Sequence, residues 1–200
     1  MFALQAARGS RIIKTVMMSM ACCLVAACAT DGVARMSVAQ ANSELAAGYQ
    51  IDSGDQLKVI VFDEDSLSGD YEVGLQGLLA LPLIEPINVK NRQPSQVAQL
   101  IEQSLAQGGY VLDPRVSVEI LEHRSFFILG EVATPGEYTH NGELTLEQAV
   151  AKAGGFSARA NKTQIVLKRQ TWNEGRMIKL GSGSLRIAPG DTITVRESFF

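Results

Sequence analysis

Ile51-Asp-Ser-Gly-Asp-Gln-Leu-Lys-Val59 recurs in outline as Ile187-Ala-Pro-Gly-Asp-Thr-Ile-Thr-Val195. Each segment passes from a glycine turn through an aspartate into a strand whose apolar side chains alternate. Gly54 and Gly190 supply backbone angles that other residues avoid, and Asp55 and Asp191 can accept backbone N–H bonds within their turns. Two explanations stay open: two related strand–helix modules, or one turn solution used twice.

Between the two segments the chain reads as short elements. After the first strand, Asp63-Glu64-Asp65 breaks the run. Gly74, Gly77, Pro82 and Pro86 punctuate short strands and turns up to Ile87. Pro94 opens a helix with Val97, Leu100, Ile101 and Leu105 on one face, stopped by Gly108-Gly109. Asp113-Pro114 leads into an alternating strand, Val116–Ile120. Phe126–Leu129 is a continuous apolar run, which predicts a strand buried on both faces. Gly130-Glu-Val-Ala-Thr-Pro135-Gly136 is a turn region. Thr145, with Gln148 three residues later, forms a capping box for a helix faced by Leu146, Ala149, Val150 and Ala153. Gly154 and Gly155 end that helix, with glycine able to take the left-handed cap. Strands are predicted at Ile165–Lys168, Met177–Leu180 and Thr192–Val195.

The amino terminus reads as an address. Arg8, Arg11 and Lys14 are followed by an uncharged apolar run over 15–27, too short to span a bilayer comfortably. The run ends Val25-Ala26-Ala27-Cys28, the cleavage pattern that a bacterial lipoprotein signal resembles. Residues 1–27 are thus expected to be a signal peptide, with Cys28 the lipidated residue. Ala29 is compatible with sorting to the outer membrane. Residues 28–47 are small and polar and read as a tether. Cys22 and Cys23 leave with the signal, so the mature body offers no disulfide framework, thiol nucleophile or cysteine metal site.

The chain has 200 residues and is 46% apolar and 20% charged, which fits a folded protein of one or two small domains. Without the signal, 15 basic residues face 21 acidic ones, a balance of −6. That excludes a nucleic-acid binder relying on clustered lysine and arginine. No catalytic constellation is found. His123 and His140 have no ligand-spaced partners, so neither a metal nor a cofactor is expected, and His123 beside Arg124 reads as a strand-edge or surface residue. Gly181-Ser-Gly-Ser184 lacks the lysine of a phosphate loop. Asp63, Glu64 and Asp65 read as a solvated turn rather than hydrolase carboxylates. Trp172 and Tyr138 could stack on sugars, although lone aromatics more often serve cores or interfaces.

In order, the motifs Tyr49-Gln-Ile-Asp-Ser-Gly-Asp-Gln-Leu-Lys-Val59, Tyr71-x-Val73, Gly77, Leu81-Pro82-Leu-Ile84, Tyr110 and Asp113-Pro114-Arg-Val-Ser-Val118 resemble the outer-membrane polysaccharide export proteins. From residue 125 the resemblance passes to their soluble-ligand-binding β-grasp module. It rests on Gly130-Glu-Val-x-x-Pro135-Gly136, Thr145-Leu, Ala149, Ala153-Gly154-Gly155, Pro189-Gly190-Asp191 and Val195-Arg-Glu-Ser-Phe-Phe200. The implied organisation is α+β: a polysaccharide export domain over 48–122, then one β-grasp domain over 123–200.

The resemblance implies a non-enzymatic lipoprotein, anchored in the outer membrane and facing the periplasm. Such proteins assemble into a homo-oligomeric ring that forms a conduit for capsular or exopolysaccharide chains, joined to an inner-membrane copolymerase. The Gly-Asp and Pro-Gly positions are expected to be architectural. Three departures accompany it. The sequence stops at Phe200 without the membrane-crossing helix of some members, so a separate outer-membrane barrel or a collar role is expected. One β-grasp module implies a short ring. Glu85 and Asn91 stand where the family often has glycine. The rival reading is a periplasmic carbohydrate-binding or regulatory lipoprotein that forms no ring.

Overall fold

The echoed segments become two strands that flank a third. The computed structural model describes residues 33–181 and 183–198. The signal segment 1–27, Cys28, Ser182 and the terminal Phe199 and Phe200 lie outside the described residues. The elements begin with β1 (Arg35–Met36), α1 (Val38–Ser43), β2 (Gln56–Val61) and β3 (Gly69–Glu72). β4 (Leu78–Leu79), β5 (Ile87–Asn88), α2 (Pro94–Gln107) and β6 (Val116–Gly130) follow. The second half holds β7 (Gly136–His140), β8 (Leu144–Thr145), α3 (Leu146–Lys152) and β9 (Gln164–Lys168). It closes with β10 (Arg176–Lys179), β11 (Arg186–Ile187) and β12 (Thr192–Val195).

The main sheet runs β1-β10-β9-β12-β6-β2-β3, with β7 also paired to β6. β2 lies antiparallel to the first half of β6, with Leu57 opposite Ile120 and Val61 opposite Val116. β12 lies parallel to the second half, with Thr192 opposite Phe127 and Val195 opposite Gly130. A mixed sheet with few helices makes the fold α+β.

Each half of β6 serves its own core. Alternation along β2 buries Leu57, Val59 and Val61 in a cluster with Val97, Ile101 and Leu105 of α2. Fully burying such a side chain contributes about 1.5–3 kcal/mol. Pro94 sits at the first turn of α2, where its missing N–H costs no helical bond. In the second core, Phe126 and Ile128 meet Ile165, Leu167, Ile193 and the Leu146, Ala149 and Val150 face of α3. The capping box forms: Gln148 N–H donates to Thr145 Oγ1 at 3.4 Å, and Thr145 N–H donates to Gln148 Oε1 at 3.0 Å. Gly154 and Gly155 close the helix at φ +79° and +94°.

Three expectations are corrected. Val116–Ile120 and Phe126–Leu129 are parts of one strand, β6. The polar stretch between them does not end the ladder, because neighbouring turns satisfy its backbone. Phe126–Leu129 is not buried on both faces: Phe126 and Ile128 are inside, whereas Phe127 and Leu129 are 39% and 44% exposed. The core lies on only one side of this part of the sheet. The tether reading fails over residues 35–43. β1 pairs parallel with β10, and Val38 and Ala41 of α1 are buried in the second core. Asn42 extends the attachment by donating from Nδ2 to Ser184 O and accepting at Oδ1 from Arg186 N–H, both at 2.9 Å. So short a segment, with few apolar residues, shows no period.

Candidate functional site

The first Gly-Asp turn is closed around its carboxylate. Asp55, fully buried, accepts the Asp52 N–H at 2.8 Å and the Tyr49 hydroxyl at 2.5 Å. It also accepts the Arg124 backbone N–H at 3.0 Å and pairs with the Arg124 guanidinium at 3.1 Å. Gly54, at φ +88°, makes the bend that aims this carboxylate at β6. Burial and the neighbouring Asp55 carboxylate hold the Tyr49 phenol far above its ordinary pKa, so it stays a donor.

The second turn repeats the design with a different arginine. Asp191 Oδ2 accepts the Ala188 N–H at 2.8 Å and Arg169 Nε at 3.4 Å. Arg169 also donates to the carbonyls of Ala41 and Arg186 and lies 3.6 Å from Glu44. Gly190, at φ +82°, donates its N–H to Ser125 O at 3.0 Å. Both turns therefore fasten to consecutive residues of β6, Arg124 and Ser125. The β6–β7 pairing shifts register between His123 and Phe126, and the β2–β6 pairing shifts between Gln56 and Leu57. These irregularities free the backbone of β6 to receive the turns.

A cleft of about 460 Å³ opens beside this junction, lined by residues of both turns together with His123, His140 and Arg186. The two imidazoles lie edge to face at 5.6 Å, and His123 packs against Tyr49 at 4.4 Å. Burial lowers the pKa of both histidines, so each is neutral at pH 7. His140 Nε2 lies 2.8 Å from the Ile187 carbonyl. A carbonyl only accepts, so Nε2 carries the hydrogen and Nδ1 presents a bare lone pair. Burial pushes the Asp191 carboxyl up to about 6, against the pull of Arg169.

The expected motif residues fall into separate places. Gly54, Asp55, Gly190 and Asp191 converge on β6 beside the cleft. Gly130, Pro135, Gly136, Gly154 and Gly155 belong to a second junction, where Ala133 N–H donates to Gly155 O and Thr134 N–H to Ala153 O, each at 2.9 Å. A Cβ on Gly130 would come within 2.0 Å of Val195 O, so only glycine fits there. Pro82 and Pro114 lie apart from both, in the turn before β5 and the approach to β6. Asn91 takes the left-handed conformation, at φ +59°, which asparagine tolerates. Trp172 is buried, donating to Glu44 at 2.8 Å and stacked beneath Arg176. His123 is half-buried inside β6 rather than on an edge. Arg124, His140 and Arg169 escaped the sequence reading because their partners are tens of residues away.

The order of the two halves agrees with known proteins. Residues 43–121 match the polysaccharide biosynthesis/export protein family, and residues 125–181 match the SLBB domain. The two matches, in this order, support a polysaccharide export protein family. It is similar to the exopolysaccharide production protein ExoF of Rhizobium meliloti (strain 1021), 37% identical over 48% of this chain and 23% of that protein. It is also similar to the EPS I polysaccharide export outer membrane protein EpsA of Ralstonia solanacearum, 29% identical over 56% of this chain and 36% of that one. The matched regions thus span well under half the length of these curated relatives. Among the described residues, no helix is long and apolar enough to cross a membrane.

Proposed function

We propose that this chain is a lipoprotein component of an envelope-spanning conduit for exopolysaccharide or capsule, forming a periplasmic ring through which the glycan passes. The observation that carries this reading is the ordered pair of family matches over 43–121 and 125–181. The shared strand β6 supports it mechanically, because both cores hang on one continuous backbone. A ring needs head-to-tail contacts between different surfaces of one subunit. The open face of β6, with Phe127 and Leu129, offers apolar area for one such contact.

In this reading Cys28 carries the lipid and sets the chain on the periplasmic face of the outer membrane. The inner-membrane copolymerase and a separate outer-membrane barrel are its partners. The chain guides the polymer and breaks no bond. The test is deletion of the gene, followed by chemical assay of polysaccharide outside and inside the cell. Extracellular polymer is expected to fall at least tenfold, with recovery on re-expression of the wild-type chain. A Cys28→Ala chain is expected to restore little. Undiminished extracellular polymer in the deletion strain would overturn the reading.

A further inference from the structure

We propose that Asn141 is a site of spontaneous deamidation in the folded chain, through a cyclic imide closed by Gly142, which adds a negative charge at the rim of the cleft. The chain has six asparagines, followed in turn by Ser43, Val89, Arg92, Gly142, Lys162 and Glu174. Only after Asn141 does the next residue lack a Cβ, so only there is the attacking backbone nitrogen uncrowded by its own side chain.

The fold keeps this pair free to react. Asn141 and Gly142 are exposed, in the turn between β7 and β8. Gly142 takes φ +58°, and beyond its chain neighbours a Cβ there would meet nothing within 4 Å. Neighbouring side chains bond elsewhere: His140 to the Ile187 carbonyl, and Thr145 with Gln148. Among the described residues, the Asn141 amide and the Gly142 N–H have no hydrogen-bond partner. Three other asparagines are held. Asn42 donates to Ser184 O and accepts from Arg186 N–H. Asn88 Oδ1 accepts from Lys90 N–H, and Asn161 Oδ1 from Thr163 N–H and Gln164 N–H.

The chemistry needs only water. Gly142 N gives up its proton to hydroxide and attacks Asn141 Cγ. The N–Cγ bond forms and the Cγ–Nδ2 bond breaks. Water returns the proton to the departing nitrogen, which leaves as ammonia. A second water then opens the imide. Attack at Cγ gives aspartate, and attack at the main-chain carbonyl carbon of Asn141 gives isoaspartate. No group is oxidised or reduced.

The position gives the change a consequence. Either product carries a carboxylate next but one to Glu143, whose Oε1 lies 2.7 Å from Arg186 Nη2. Gly142, Glu143 and Leu144 all line the cleft. Isoaspartate also lengthens the main chain by a methylene just ahead of β8, where Leu144 is buried opposite Ile187. This inference does not rest on the export reading.

The test ages the detergent-solubilised full-length chain in warm, mildly alkaline buffer and follows it by peptide mass spectrometry. Trypsin releases residues 125–152, in which Asn141 is the only asparagine. That peptide is expected to gain about 1 Da, as NH₂ gives way to OH, at least tenfold faster than peptides holding the other five. Two products are expected, aspartate and isoaspartate, separated by retention and by backbone fragmentation; Asn141→Asp supplies the standard for the first. Gly142→Asp restores a Cβ in a residue that tolerates the left-handed conformation, and is expected to slow the change at least tenfold. Equal rates at all six asparagines would overturn the proposal. So would aspartate as the sole product, or a Gly142→Asp chain that reacts as fast as the parent.

Discussion

The two Gly-Asp turns share a backbone plan and differ in how completely they are closed. Asp55 has four donors around it, including the backbone of β6 itself. Asp191 uses one oxygen for the Ala188 N–H and Arg169, and its other oxygen lies 3.3 Å from the same Arg169 Nε with no other partner among the described residues. The first arginine depends on its aspartate, since among the described residues the Arg124 side chain otherwise donates only to Tyr49. The second does not, since Arg169 also reaches Ala41, Arg186 and Glu44. The same nine-residue pattern thus makes a densely bonded joint at one end and a more sparsely bonded one at the other, with both turns lining the cleft. Neighbours contributed from elsewhere in the chain account for the difference.

The sharpest way to break the comparison is to remove each carboxylate. Asp55→Ala strands a largely buried guanidinium and is expected to cost about 3–5 kcal/mol. Asp191→Ala leaves Arg169 with three other acceptors and is expected to cost about 1.5–3 kcal/mol. Urea denaturation of the two variants checks the order, and equal losses would remove the asymmetry.

The glycines come next. Alanine at either position takes on left-handed strain of about 1–2 kcal/mol. At Gly54 the new Cβ would sit an ordinary 3.7 Å from Arg124 Cβ. At Gly190 it would press to 3.0 Å from both Arg124 Nε and Gln170 Oε1. Gly190→Ala is therefore expected to cost roughly 1 kcal/mol more than Gly54→Ala, read by thermal denaturation.

A subtler difference lies in pH dependence. The raised carboxyl of Asp191 keeps its proton in the folded state after the unfolded chain has released it. Stability from this group is full below about 3.8 and is lost as pH climbs to about 6. His123 and His140 act oppositely. Their lowered pKa makes the folded state resist protonation, so stability falls as pH drops below 6.5. Asp191→Asn is expected to remove the first trend and expose the second, giving a steeper loss of stability toward acid between pH 6.5 and 4. An unchanged profile would contradict the assigned shift.

The smallest effect concerns the attachment that only the second core has. Asn42→Ala loses two side-chain hydrogen bonds to the chain around β11 and is expected to cost about 1 kcal/mol. Amide exchange should quicken at Arg186 and not in β2.

What could be read from sequence was local. The turn at 51–55, the Pro94 helix, the Thr145 capping box and the strand after Gly190 depend on residues within a few positions of one another, and each was legible. The site was only half legible. Gly54, Asp55, Gly190 and Asp191 were visible as a repeated pattern, but the residues that give the two turns different roles were not. Arg124 lies 69 residues from Asp55, and Arg169 meets Ala41 across 128. No short-range period encodes such pairings. The open face at Phe127 and Leu129 was misread for a related reason: four apolar residues in a row do not reveal that only one face of the sheet is covered.

The proposed ring is the central claim, and the mass of the detergent-extracted chain tests it most directly. Light scattering is expected to give a discrete particle of several subunits, unchanged over a range of concentrations. The mass of a single chain at every concentration would contradict a conduit built from this protein.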